Sequence, residues 1–83
     1  MKHSYKPSGV CSSLIEFELD GTTVKNLRFR GGCNGNLQGI GRLVDGMDAN
    51  AVISRCDGIR CGHKSTSCPD QLAKALKAAL NER

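Results

Sequence analysis

The 83-residue chain predicts an α+β domain, a small antiparallel sheet built on a β-hairpin and packed by two to three helices. Three observations carry that expectation. Residues 12 to 30 alternate apolar and polar side chains around Asp20-Gly21, a two-residue turn signal. Beyond the loop Gly31-Gly32-Cys33-Asn34-Gly35-Asn36 the apolar period changes from two to three and four. Near the carboxy end Pro69 opens a stretch with leucines and alanines on one side.

Each element follows from its residues. Ser4 to Lys6 suit an edge strand that Pro7 ends or borders. Ile15, Phe17 and Leu19 alternate with Glu16, Glu18 and Asp20, the pattern of a half-buried strand, and Thr22 to Arg30 form its hairpin partner. Leu27 and Phe29 continue the apolar face while Val24 falls out of phase, which predicts a bulge or twist near Lys25. Leu37, Ile40, Leu43, Val44 and Met47 then mark a helix. Gly39 and Gly41 weaken it by about 1 kcal/mol each relative to alanine and point to close packing. Gly46 is its stop, Asp48 caps a second short helix from about Ala49 to Cys56, and 57 to 67 read as loop. The last helix carries Leu72, Ala73, Leu76, Ala79 and Leu80 on one side. No repeats, linkers or low-complexity tracts interrupt this order, so residues 1–83 read as one domain.

Composition narrows the function classes. A domain of this size has a thin core and benefits from a staple such as a bound metal. No apolar run reaches the roughly 20 residues of a membrane span, and Met1-Lys2-His3-Ser4-Tyr5 lacks the apolar core of a secretory signal. A cytoplasmic setting, where thiols stay reduced, is therefore expected, with no membrane partner. The formal charge of +4 is scattered, with three aromatic residues in all, which argues against a nucleic-acid surface.

The five cysteines are the most informative residues. With the turn centred between Asp20 and Gly21, position 11 lies across from position 30, so Cys11 and Cys33 are expected at one end of the hairpin. Cys68, just before Pro69, is a candidate N-cap of the last helix, where the helix dipole favours negative charge on sulfur. Cys61 precedes it by seven residues through a polar segment able to fold back. Cys11, Cys33, Cys61 and Cys68 are thus the candidate ligands of one metal, and four soft ligands suit zinc or an iron–sulphur cluster. A redox dithiol and unligated thiols are the competing readings. Cys56, beside Val52 and Ile53 on the short helix, reads as a buried structural thiol rather than a fifth ligand. His63 reads as exposed rather than ligating, and His3 has a weaker claim still.

The segments Gly9-Val10-Cys11-Ser12, Gly31 to Ile40, Cys61-Gly62 and above all Thr66-Ser67-Cys68-Pro69-Asp70-Gln71-Leu72 resemble the small four-cysteine proteins of the TSCPD-domain family over nearly the whole chain. Related domains occur at the carboxy end of adenosylcobalamin-dependent ribonucleotide reductases. The resemblance therefore implies an association with deoxyribonucleotide synthesis and a ribonucleotide reductase as candidate partner, with adenosylcobalamin entering only through that partner. A more distant similarity of layout links Cys11, Cys33 and Cys68 to U-type iron–sulphur scaffold proteins, in which a cysteine opens a hairpin, another follows its second strand and a third starts a late helix. Where those scaffolds carry an assisting aspartate and histidine, this chain has Ser12 or Ser13 and Ser67, and Cys61 instead is placed to close the site.

Two further readings complete the sequence. The backbone N–H groups of Gly32, Asn34, Gly35 and Asn36 ahead of a helix resemble an anion cradle. Their spacing fits neither G-x-G-x-x-G nor a P-loop, so turn-making glycines around a ligand cysteine are the competing reading. Catalysis finds no positioned carboxylate pair and no Cys-His-Asp set; the isolated chain reads as non-catalytic, although kinship points to ribonucleoside-diphosphate reductase. Homodimerisation stays open.

Overall fold

A computed structural model describes residues 2–32 and 34–82. Three strands, β1 (Lys2–Tyr5), β2 (Ser12–Asp20) and β3 (Thr23–Gly31), precede three helices, α1 (Asn34–Val44), α2 (Ala49–Cys56) and α3 (Cys68–Asn81). The sheet is antiparallel in the order β1-β2-β3. The expected α+β architecture of a hairpin-based sheet with three helices is what forms. The edge strand begins at Lys2, pairing with Glu18, and ends at Tyr5, pairing with Ile15.

The hairpin differs from the expected register by one step. Asp20 pairs with Thr23, so the two loop residues are Gly21 and Thr22 rather than Asp20 and Gly21. Gly21 occupies the first loop position with φ +62°, a conformation that costs a residue without Cβ little. At the other end of the hairpin Ser12 pairs with Gly31.

The bulge expected near Lys25 is present. Glu18 pairs with Lys25 and Glu16 with Arg28, so Asn26 and Leu27 together face Phe17. Asn26 takes φ +54°, donates its N–H to Asp45 Oδ1 at 2.9 Å and its side-chain amide to Glu18 Oε2 at 2.8 Å. The extra residue lets Val24 and Leu27, three apart, both point into the core. Their phase mismatch in the sequence is thereby explained.

One apolar layer joins sheet and helices. Ile15, Phe17, Leu19, Val24 and Leu27 pack with Val44 of α1, Ala49 and Val52 of α2, and Leu72, Ala75, Leu76 and Ala79 of α3. Burying an aliphatic side chain contributes about 1.5–3 kcal/mol, and these residues supply most of what opposes chain entropy. The outer edge of β3 is also occupied. Val24 N–H donates to Met47 O at 2.8 Å, Gly46 N–H to Val24 O at 2.7 Å, and Ala49 N–H to Thr22 O at 2.7 Å. An otherwise open strand edge is thus satisfied by the α1–α2 connection.

In α1 the buried stripe is Leu37, Gly41 and Val44, with Ile40 partly buried, as is Met47 in the connection that follows. Leu43, expected on that stripe, is 79% exposed. It lies about 100° around the helix from Val44, on the side away from β3. Gly41 is where α1 touches the strand, since a Cβ there would stand 2.8 Å from Leu27 O; nothing lies within 4 Å of a Cβ at Gly39. Gly46 ends the segment at φ +84°. Asp48 caps α2, its Oδ2 accepting from Asn50 N–H at 3.0 Å and its Oδ1 from the Thr22 hydroxyl. The Thr22 hydrogen bond, ahead of those from Asn50 and Ala51, holds the Asp48 pKa below its ordinary value. Among the described residues no helix is long and apolar enough to cross a membrane.

Candidate metal centre

The cysteine positions follow from the ends of the elements. Cys11 is exposed just before β2, and a Cβ on Gly31 would stand 3.4 Å from Cys11 O. Ser12, which follows it, is buried and sits beside Gly32, whose Cβ would come 3.3 Å from Ser12 N and 2.9 Å from Leu37 Cδ1. Only glycine fits at Gly32, where φ is +77°. The glycines that end β3 therefore bring the backbone leading to Cys33 against the residues that start β2.

Ser12 also reaches α3. Its hydroxyl lies 3.4 Å from Cys68 Sγ, where either atom can donate. Cys61 joins the same neighbourhood through its loop: its N–H donates to Thr66 O at 3.1 Å, its carbonyl accepts from Lys64 N–H at 3.0 Å, and Lys64 Nζ lies 3.9 Å from Cys11 Sγ. Ser12, Lys64 and Thr66 thus connect the segments that carry Cys11, Cys61 and Cys68. All three are free thiols, Cys11 and Cys61 exposed and Cys68 half-buried. Among the described residues, no three or more His, Cys, Asp or Glu side chains form a group able to hold a metal ion. Cys33, the fourth expected ligand, lies outside the described residues.

What holds Cys68 in place is a buried polar network made by its neighbours in sequence. Ser67, not Cys68, is the N-cap of α3: its Oγ accepts from Asp70 N–H at 3.1 Å and donates to Ile59 O at 2.7 Å. A hydroxyl outcompetes a thiol as a cap because sulfur is the weaker acceptor, and Cys68 becomes the first helical residue. The carboxylate of Asp70 accepts from the Thr66 hydroxyl, from Gly58 N–H at 2.7 Å and from Lys74 Nζ at 3.3 Å. Gln71 donates to Thr66 Oγ1 at 2.9 Å and accepts from Ser8 N–H at 3.1 Å.

Thr66, Ser67, Asp70 and Gln71 are all buried, and each is hydrogen-bonded. The Thr66 hydrogen bond, followed by those from Gly58 and Lys74, holds the Asp70 pKa below its ordinary value against the opposing effect of burial. The network ties the loop after α2 and the segment before Cys11 to one helical turn. Sequence reasoning missed it, although Ser67-x-x-Asp70 is the spacing of a helix-capping pair.

The other candidates fall elsewhere. Cys56 is half-buried against the core, and burial pushes its thiol pKa up, in keeping with a packing role. His63 is exposed. His3 sits opposite Phe17 and stacks on its ring with centroids 5.4 Å apart; its Nδ1 lies 3.9 Å from Glu82 Oε2. At the expected anion cradle Gly32, Asn34, Gly35 and Asn36 are exposed, and Asn34 Oδ1 accepts from Gln38 Nε2 at 3.0 Å. The described part of the cradle therefore starts a helix, with Gly32 fixed by packing against Leu37 and Ser12.

A model of the family described as TSCPD domain matches residues 1–80. No curated protein and no solved structure matches the chain.

Proposed function

This chain belongs to the TSCPD-domain family, and we propose that it is a cysteine-ligated zinc module that serves ribonucleotide reduction through a protein partner. The observation that carries the metal reading is the contact of Ser12 Oγ with Cys68 Sγ at 3.4 Å, which sets the first turn of α3 against the residue after Cys11. Cys11, Cys33, Cys61 and Cys68 would hold the ion, a donor set suited to zinc. A bound zinc acts as a structural clamp.

The chain's own polar groups reach two of these sulfurs. Ser12 has a hydroxyl at Cys68 and Lys64 an ammonium toward Cys11, the kind of outer donors that orient and stabilise metal-bound thiolates. Ser67, Asp70, Thr66 and Gln71 fix the helical turn that presents Cys68, so the ordering entropy of that ligand is met by folding rather than by binding.

The partner is a reductase of the kind whose carboxy-terminal domains share this family, and the module acts on it in trans. Co-purification tests this reading. Zinc-loaded protein should retain a ribonucleotide reductase, and the Cys61→Ser variant should lose it; retention of no reductase by either protein contradicts the partner.

A further inference from the structure

A groove of about 650 Å³ runs between β3 and α1, and none of the described cysteines lines it. Its walls carry two arginines from different elements, Arg28 on β3 and Arg42 in the last turn of α1. Neither forms an ion pair with an acid among the described residues, whereas Arg30, two residues from Arg28, is held by Glu16 at 2.8 Å. The acid that lines the groove, Asp45, already accepts the N–H of Asn26 at 2.9 Å. Asn26 and Gln38 add amide groups, and Leu37 and Phe29 give the wall an apolar part. The size lies within the range of small-molecule sites.

Two unpaired guanidiniums beside amides and an apolar wall suit a ligand with an anionic end and an uncharged body. We infer that this groove binds a small organic phosphate, its phosphate held by Arg28 and Arg42 and its body lying along Phe29 and Leu37. The inference is independent of the cysteine site, which is built from other residues.

Titration of the full chain with adenosine 5′-monophosphate, followed by calorimetry and by backbone amide shifts, tests it. Binding is expected, with shifts confined to β3 and α1. Arg28→Gln and Arg42→Gln should each weaken it about tenfold, the size expected for one charged hydrogen bond. Lys25→Gln, on the same strand but outside the groove, should leave it unchanged. Both arginines are exposed, so unchanged melting temperatures and zinc content should accompany the loss.

Adenosine without phosphate should not bind, and inorganic phosphate should bind more weakly than the nucleotide. No binding at millimolar nucleotide would overturn the inference. So would equal binding of inorganic phosphate, equal loss in the Lys25 variant, or tighter binding of a short single-stranded oligonucleotide, which would make the groove a nucleic-acid surface.

Discussion

The carboxylate of Asp70 accepts the backbone N–H of Gly58 at 2.7 Å, so the first turn of α3 anchors a residue twelve positions earlier in the chain. The same carboxylate accepts the Thr66 hydroxyl and is buried. Asp70→Ala leaves both donors without an acceptor and should cost about 2–6 kcal/mol, the sum of two such losses. Asp57→Ala, which removes a half-exposed ion pair with Lys77 at 3.1 Å, should cost less than about 1 kcal/mol. Urea unfolding of the two variants separates these magnitudes; equal costs would mean that the Asp70 network stabilises no more than an exposed ion pair.

The same hydrogen bonds set an acid limit. Because the folded state lowers the Asp70 pKa, the unfolded chain takes up the proton first as pH falls. The stability due to Asp70 should be fully present above the ordinary carboxylate pKa of about 3.9 and be lost as pH falls through the lower folded value. Unfolding free energies at pH 6, 4 and 3 for the wild type and Asp70→Asn should converge toward the acid end. A constant difference across that range would exclude the carboxylate's charge as the cause.

Two glycines of α1 make opposite predictions. Gly39→Ala meets open space and should stabilise the protein by up to about 1 kcal/mol through helix propensity. Gly41→Ala places a methyl group 2.8 Å from Leu27 O and should destabilise it by about 1–3 kcal/mol, because a backbone atom has to move. Thermal melts of both variants decide the point, and a stabilising Gly41→Ala would mean that α1 does not rest on β3 at this residue.

The thiols should divide by exposure and by metal. In metal-free protein Cys11 and Cys61, which are exposed, should react with iodoacetamide faster than Cys56, whose pKa is raised by burial. Added zinc should protect Cys11, Cys33, Cys61 and Cys68 and leave the Cys56 rate unchanged. Mass mapping of the alkylated peptides gives the five rates, and protection of Cys56 in place of Cys68 would move the site.

Much of the fold was legible because local patterns and packing agree. The alternation of Ile15, Phe17 and Leu19, the Asp48 cap and the Pro69 helix start each say in sequence what they do in space. The mismatch of Val24 with Leu27 even located the bulge. Leu43 misled because an apolar residue at helical spacing carries no mark of which side the sheet occupies, and the buried stripe runs instead through Gly41. The positions of Cys11 just before β2 and of Cys68 at the start of α3 were readable from the sequence pattern, whereas what fixes Cys68 in place was not. Thr66, Asp70 and Gln71 look like an ordinary polar helix start, and only tertiary contact shows that they bind Gly58 and Ser8.

Zinc content per chain in cysteine variants decides whether four cysteines hold one zinc. Untagged protein purified without oxygen, with the visible spectrum recorded, should be colourless and contain about one zinc per chain, the stoichiometry of a four-thiolate site. Cys11→Ser, Cys33→Ser, Cys61→Ser and Cys68→Ser should each lose the metal and unfold at a lower denaturant concentration, since coordination free energy adds to folding free energy in such a domain, while Cys56→Ser keeps it. Absence of metal from the wild type, or a Cys56→Ser variant that alone loses it, would contradict the account, and iron with sulphide absorption would replace zinc by a cluster.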